Sequence, residues 1–287
     1  MSEDKPSHTP KDSHYATLRR QFRDKKAGGA PQAQRPTRPA TEGTQAPEGL
    51  VRLYGLHTVR AALDNPNRQI KRMLVTKNAL DRLEIADSNA LPFDVDIVDP
   101  RAIDRETGSE AVHQGVMIEV KPLKAQSLKA LKDSKLLLIL DQVTDPHNVG
   151  AIMRSAVAFG AGAIVTTARH SPQESGVLAK AASGALELIP HIEVRNLAEA
   201  IDELHELGFA TIGLDSEGPL ELEKTMAGDR IALVLGAEGK GLRQKTRETV
   251  THLARLDMPG AIKSLNVSNA AAISLYAAQR FLTAKAD

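Results

Sequence analysis

From residue 135 onward, short aliphatic runs alternate with longer stretches whose apolar positions recur every three or four residues. The runs Lys135–Leu140, Ala163–Thr166, Ile189–Val194, Phe209–Leu214, Ile231–Leu235 and Ala254–Leu256 predict strands. Between them, Val149–Phe159, Ser175–Ala182, Leu197–Leu207, Leu242–Val250 and Val267–Leu282 predict helices. Strands that are apolar at successive positions are buried on both faces, and the intervening helices supply the cover. The pattern therefore predicts an α/β fold with a mostly parallel sheet.

A smaller α/β unit precedes it. Its expected elements are a helix over His57–Leu63, a strand over Ile70–Val75, a helix over Leu80–Ala86, a strand over Val95–Val98, a helix over Pro100–Thr107 and a strand over Gly115–Val120. The expected division is a tail over 1–49, a small domain over 50–122, a polar linker over 123–134 and a large domain over 135–287. The first 50 residues hold six of the 15 prolines and, besides Met1, only Leu18, Phe22 and Leu50 as large aliphatic or Phe side chains. Such a segment buries too little apolar surface to offset its ordering entropy and is expected to be disordered. It carries nine Lys and Arg against six acidic residues, with Tyr15–Lys26 as a basic helix that orders on binding. A basic arm suits phosphate attraction; a solubilising tail is the alternative.

Charge and composition narrow the chemistry. Lys and Arg total 37 against 36 Asp and Glu, which excludes a uniformly basic nucleic-acid coat but leaves room for local patches. The absence of cysteine removes disulfides, thiolate nucleophiles and Cys-ligated zinc. Five Phe, three Tyr and no Trp are too few for rows of base-stacking rings. The N-terminus has no secretory pattern, and the longest aliphatic run, Leu136–Leu140, is far short of a bilayer span, so a cytoplasmic protein is expected. No metal-ligand cluster stands out.

Common nucleotide and hydrolase signatures fail. Gly236-Ala-Glu-Gly-Lys-Gly-Leu242 places Leu242 where a phosphate loop needs its lysine, and Phe159-Gly-Ala-Gly-Ala lacks a third glycine and precedes a strand. There is neither a serine nucleophile elbow nor a zinc-binding HExxH helix. Three loops remain at the C-terminal ends of predicted strands, where open α/β sheets place ligands. They are Asp141–Gly150, leading into a helix with Arg154; Gly236–Gly239; and Asp257–Ser268. Their glycines permit close backbone approach, and Leu235, Leu256 and Leu265 offer an apolar slot for a flat base.

Taken together, LILDQVTDPHNVGAIMRSAVAFGAGAIV (138–165), LVLGAEGKGL (233–242) and SLNVSNAAAISLYAA (264–278) resemble the three signature motifs of the SpoU/TrmH family of the SPOUT class. These are S-adenosylmethionine-dependent RNA ribose 2′-O-methyltransferases. YGLHTVRAAL (54–63) and HQGVMIEV (113–120) are similar to the family's N-terminal substrate-binding domain, which has a ribosomal-protein-like fold. The layout most resembles the branch that methylates a guanosine in the peptidyl-transferase P-loop of 23S rRNA. The resemblance implies a trefoil-knotted catalytic domain, S-adenosyl-L-methionine as cofactor, RNA as partner and a homodimer with the RNA site shared across it.

It also implies roles for particular residues. Arg154, Asn148, Glu238 and Asn266 map onto catalytic positions; Gly236, Leu256, Leu265, Leu235 and Ser264 map onto or beside the cofactor site. A guanidinium stays protonated, so Arg154 suits a phosphate and hydroxyl clamp better than a base. Asn148 and Ser268 stand where each can equally be a helix N-cap, and Glu238 is expected to orient Arg154 or the nucleotide. Lys71 and Arg72 beside Arg68 suggest a phosphate-facing patch, with a solvated charged face as the alternative, and the small domain is expected to be mobile. Methylation of tRNA and a catalytically inactive RNA-binding module are the competing functions.

Overall fold

The computed structural model describes residues 42–285. The expected tail falls outside these residues up to position 41, including its basic helix. Residues 42–49 carry no helix or strand, but Thr44 is tied down: its amide donates to Arg105 O (3.2 Å), and Arg52 Nη1 donates to its carbonyl (2.6 Å).

The small unit contains β1 (Val51–Tyr54), α1 (Leu56–Asp64), β2 (Ile70–Val75), α2 (Lys77–Arg82), β3 (Asp94–Ile97), α3 (Pro100–Thr107) and β4 (Val116–Val120). Its sheet runs β1-β4-β2-β3, with β4 antiparallel to both neighbours and β3 parallel to β2. Strand β1 has no counterpart among the expected elements. The helix expected over Leu80–Ala86 starts three residues earlier, since Thr76 caps it by accepting from Ala79 N (3.2 Å).

A short 3₁₀ turn, Leu128–Leu131, leads to the large unit. This comprises β5 (Leu136–Asp141), α4 (Pro146–Ala158), β6 (Ala163–Thr167), α5 (Gly176–Ala182), α6 (Ala185–Leu188), β7 (His191–Val194), α7 (Leu197–Glu206) and β8 (Ala210–Leu214). It continues through β9 (Leu220–Glu221), α8 (Leu222–Thr225), β10 (Ile231–Gly236), α9 (Gln244–Thr249), β11 (His252–Arg255) and α10 (Val267–Ala284). The seven strands are all parallel, in the order β7-β6-β5-β10-β8-β11-β9. Leu136, Leu138 and Leu140 turn to a core shared with α4, α5 and α10, while Leu137 and Ile139 face a second core with α7 and Leu242. The unbroken aliphatic run is thus explained by helices on both faces. None of the helices among the described residues is long and apolar enough to cross a membrane.

The small unit is fastened to the large one. Leu53, Leu56 and Val59 share a core with Leu178, Ala179 and Ala182. Thr58 Oγ1 donates to Ala179 O (3.1 Å), and Lys180 Nζ donates to Gln114 Oε1 (2.6 Å). At the centre, the fully buried Arg68 side chain pairs with Glu187 and Glu174, both at 2.6 Å, and also donates to Lys121 O. This corrects two expectations. Arg68 does not belong to a phosphate-facing patch, because it is consumed by two carboxylates, and Arg72 is paired with Asp96 at 3.0 Å. Nor is the small sheet a loosely attached arm, since moving it would separate buried charges and open a continuous core.

Arg68→Ala should therefore lower unfolding free energy by about 3–5 kcal/mol, because Glu187 is left buried without its counter-charge. Arg72→Ala, at an exposed pair, should cost less than about 1 kcal/mol in the same urea titration. A second expectation concerns His191, whose Nε2 lies 2.8 Å from Thr166 Oγ1 and whose pKa burial lowers to about 4. The unfolded chain takes up this proton near 6.5 while the native one resists it. The contribution is therefore complete above pH 6.5 and is lost as pH falls through 4, by roughly 3 kcal/mol in all. Urea titrations at several pH values should show that loss reduced in His191→Gln.

Candidate active site

Parallel strands deliver their outgoing loops to one edge of the sheet, and the register aligns them. Gly236 stands beside Asp141, Leu235 beside Leu214, and Ala254 beside Leu214 on the other side. The loops after β5, β10 and β11 are the three singled out from the sequence. The loop after β8, Asp215–Gly218, lies between the last two and was missed, because its importance follows from strand order rather than composition. There Asp215 pairs with Arg247 and accepts from Glu217 N (2.9 Å).

Asn266 joins the loops. It is the N-cap of α10, its Oδ1 accepting from Ser268 N at 2.9 Å. Its Nδ2 donates to Asn148 Oδ1 (3.0 Å) and to Glu238 Oε1 (2.7 Å), and Glu238 Oε1 also accepts from Val267 N (3.0 Å). Two local assignments change as a result. The cap of α4 is Asp145, which accepts from His147 N, so Asn148 lies in the first turn with its side chain available to the site. Ser268 is likewise inside its helix rather than capping it.

Glu238 bonds to Asn266 and Val267, not to Arg154 as one expectation had it. Arg154 projects from α4 as an exposed side chain with no hydrogen-bond or ion-pair partner among the described residues. Its charge is available for an anion.

The expected cofactor positions sit on the same edge. A Cβ at Gly236 would overlap the backbone of Gly241, whose amide donates to Ala237 O (2.8 Å), so the loop closes into a ring that only glycine permits. Leu235 is buried, Leu256 is partly buried against the same core, Leu265 is 39% exposed, and Ser264 is exposed. Asp141 completes the frame. It is fully buried, and its two oxygens accept from Arg243 Nε (2.6 Å) and Arg243 N (3.0 Å). An acid ending an otherwise apolar strand is the signal for this residue, but its partner is 102 positions away in the chain. No group of three or more His, Cys, Asp or Glu residues among the described ones is arranged to hold a metal.

Residues 135–276 match the model of the SpoU rRNA methylase family, and residues 52–126 match that of the RNA 2′-O ribose methyltransferase substrate-binding domain. The chain is 34% identical over 239 residues to the 23S rRNA (guanosine-2′-O-)-methyltransferase RlmB of Pseudomonas putida, a match covering 80% of this chain and 96% of that one. It is 37% identical over 237 residues to the protein of the same name from Vibrio vulnificus, covering 79% and 96% respectively. Among solved structures it resembles the SpoU methyltransferase AviRb from Streptomyces viridochromogenes in complex with the cofactor AdoMet. That match has a TM-score of 0.69 at 20% identity and covers 81% of this chain and 90% of the other.

Asn266→Asp tests the cluster. The variant keeps an oxygen to cap α10 but replaces the donating amide with a second carboxylate facing Glu238 Oε1. Relative to the parent, it should lose about 1–3 kcal/mol at pH 7 and recover part of this at pH 5, where one carboxyl takes up a proton. Asn266→Ala, which loses the cap as well, should show no such recovery in paired urea titrations.

Proposed function

The chain belongs to the SpoU rRNA methylase family, and on that premise we propose that it transfers a methyl group from S-adenosyl-L-methionine to the ribose 2′-hydroxyl of a guanosine in 23S rRNA. The observation that carries this reading is the hydrogen-bonded convergence of Asn148, Glu238 and Asn266 from three separate motifs onto one edge of the sheet. The target is the guanosine of the peptidyl-transferase P-loop. The small unit supplies the RNA-capture surface, residues 135–287 form the knotted catalytic domain, and the enzyme works in the cytoplasm.

The ring at Gly236–Leu242 and the side chains of Leu256 and Leu265 would hold the cofactor, with the apolar chains against its base and loop backbone groups against its polar edges. When bound, the cofactor supplies a methyl on a sulfonium, already activated toward an oxygen nucleophile. The protein's task is therefore alignment and help with one proton. Asn148 has its side-chain oxygen occupied by Asn266, which leaves its amide hydrogens to direct toward the ribose. Glu238 has one oxygen committed to Asn266 and Val267, and the other free to accept a hydroxyl hydrogen bond. Arg154 clamps the adjacent phosphate and steadies negative charge developing on the 2′-oxygen.

The surface around this site supports a homodimer. The segment 259–266 is exposed along its whole length, including Ile262 at 76%, and on α10 Ile273 and Tyr276 are also exposed. The opposite side of α10, with Ala271, Leu275 and Ala278, packs within the chain. The small residues of this helix thus serve the internal core, and a second copy covers the outward face.

Labelled S-adenosylmethionine incubated with protein-free 23S rRNA and, separately, with bulk tRNA tests the assignment. Label should appear as 2′-O-methylguanosine from 23S rRNA; label confined to tRNA would overturn the substrate. Arg154→Ala should reduce turnover by about 100-fold or more while leaving the cofactor Kd within roughly threefold.

A further inference from the structure

The loop between β6 and α5 is a strut that carries one free cation, Arg169, and is tied to the end of β7, where a second, Arg195, follows. At one end, Ala168 N donates to Val194 O (3.0 Å), holding the loop to the end of β7. At the other, Gly176 is so close to Tyr54 and the Arg52 carbonyl that a Cβ would overlap both, which seats the loop against β1 of the small unit. Between them Glu174 is fixed by Arg68 (2.6 Å) and by Leu123 N (3.0 Å), so its charge is already neutralised. Arg169 and His170 are exposed, as is Arg195 immediately after β7, and none of the three side chains has a partner among the described residues. Most other arginines of the large unit are committed: Arg230 to backbone carbonyls, Arg243 to Asp141, Arg247 to Asp215 and Arg255 to Gly218 and Pro219. The one exposed acid on β7 is Glu193, two positions before Arg195.

Register places this pair on the catalytic edge. Leu140 pairs with Thr166, and Thr167 with Val194, so Arg169 and Arg195 leave the sheet one and two strands beyond β5, about 5 and 10 Å away. Both arginines therefore leave the sheet from the same edge as the loop that carries Asn148. The loop also runs from that edge to the small unit, along the route RNA takes if it touches both.

We infer that Arg169 and Arg195 form a phosphate track that carries the RNA strand from the catalytic edge toward the small sheet. This rests on the reading of the site as an RNA 2′-O-methyltransferase. The backbone of the two loops is held by the Ala168–Val194 bond before RNA arrives, so the ordering entropy spent at binding falls on the side chains. Both arginines meet phosphate and therefore add affinity without base preference.

The test uses the full chain with Arg169→Glu, Arg195→Glu and their combination, with Lys129→Glu as an exposed charge reversal remote from this edge. Binding of a 23S rRNA fragment is measured by filter retention across a salt series, alongside methyl transfer, cofactor Kd and thermal stability. The double variant should bind RNA at least about tenfold more weakly, with a salt dependence flattened by roughly 0.7 for each phosphate no longer neutralised. Its cofactor Kd and melting temperature should match the parent's, and Arg169→Lys with Arg195→Lys should restore most of the binding. Lys129→Glu should have a much smaller effect. An unchanged affinity and salt slope in the double variant would sink the track, as would an equal loss from Lys129→Glu. If the parent binds the fragment yet methylates no RNA, the enzymatic reading fails, while the binding comparison still decides the track.

Discussion

Seven strands that all run the same way must send every outgoing loop to a single edge of the sheet, and the chemistry of this protein depends on that constraint. Asn148, Glu238 and Asn266 lie as much as 118 residues apart in the chain, yet meet within hydrogen-bond distance. The helix dedicated to each loop fixes its exit. Asp145 caps α4 and Asn266 caps α10, so the residues that end non-helical segments also set the direction of the site's side chains. Asn266 does both jobs with one amide, its oxygen serving the helix and its nitrogen serving the cluster.

Buried charge performs the complementary task of holding the frame. Asp141 and Arg68 are each removed from water and each fully engaged, the first closing the ring of loops and the second joining the two sheets. Such pairs gain little net stability over apolar packing, but removing one member is costly, and their directionality permits a single arrangement. Arg154, Arg169 and Arg195 are the opposite case. They are left unpaired at the surface, where a guanidinium retains its hydration until a phosphate displaces it.

The core helices and strands were legible because burial on both faces leaves an unmistakable run such as Leu136–Leu140, and because a helix of the length of α10 repeats its apolar period several times. The two-residue strand β9 and the single-turn helices α6 and α8 offer too few positions for a period to show. The candidate residues were legible as motifs, and their family resemblance was carried by the same three segments. The partnerships were not. Glu238, expected to orient Arg154 or the nucleotide, is bonded to Asn266; Arg68, expected beside Lys71 and Arg72, is instead buried between Glu174 and Glu187.

The sequence by itself determined the α/β class and the side chains capable of chemistry, because each depends on local periodicity or residue type. Strand order, the joining of the two sheets and the choice of partner for every charged group were decided only by the tertiary structure. These rest on contacts between residues well separated in the chain, 24 positions for Arg72 and Asp96 and 119 for Arg68 and Glu187, and a one-dimensional pattern carries no information about which charge will meet which. The loop after β8, Arg169 and Arg195 became visible for the same reason, once parallel pairing had brought their loops to the sheet edge that carries Asn148 and Glu238.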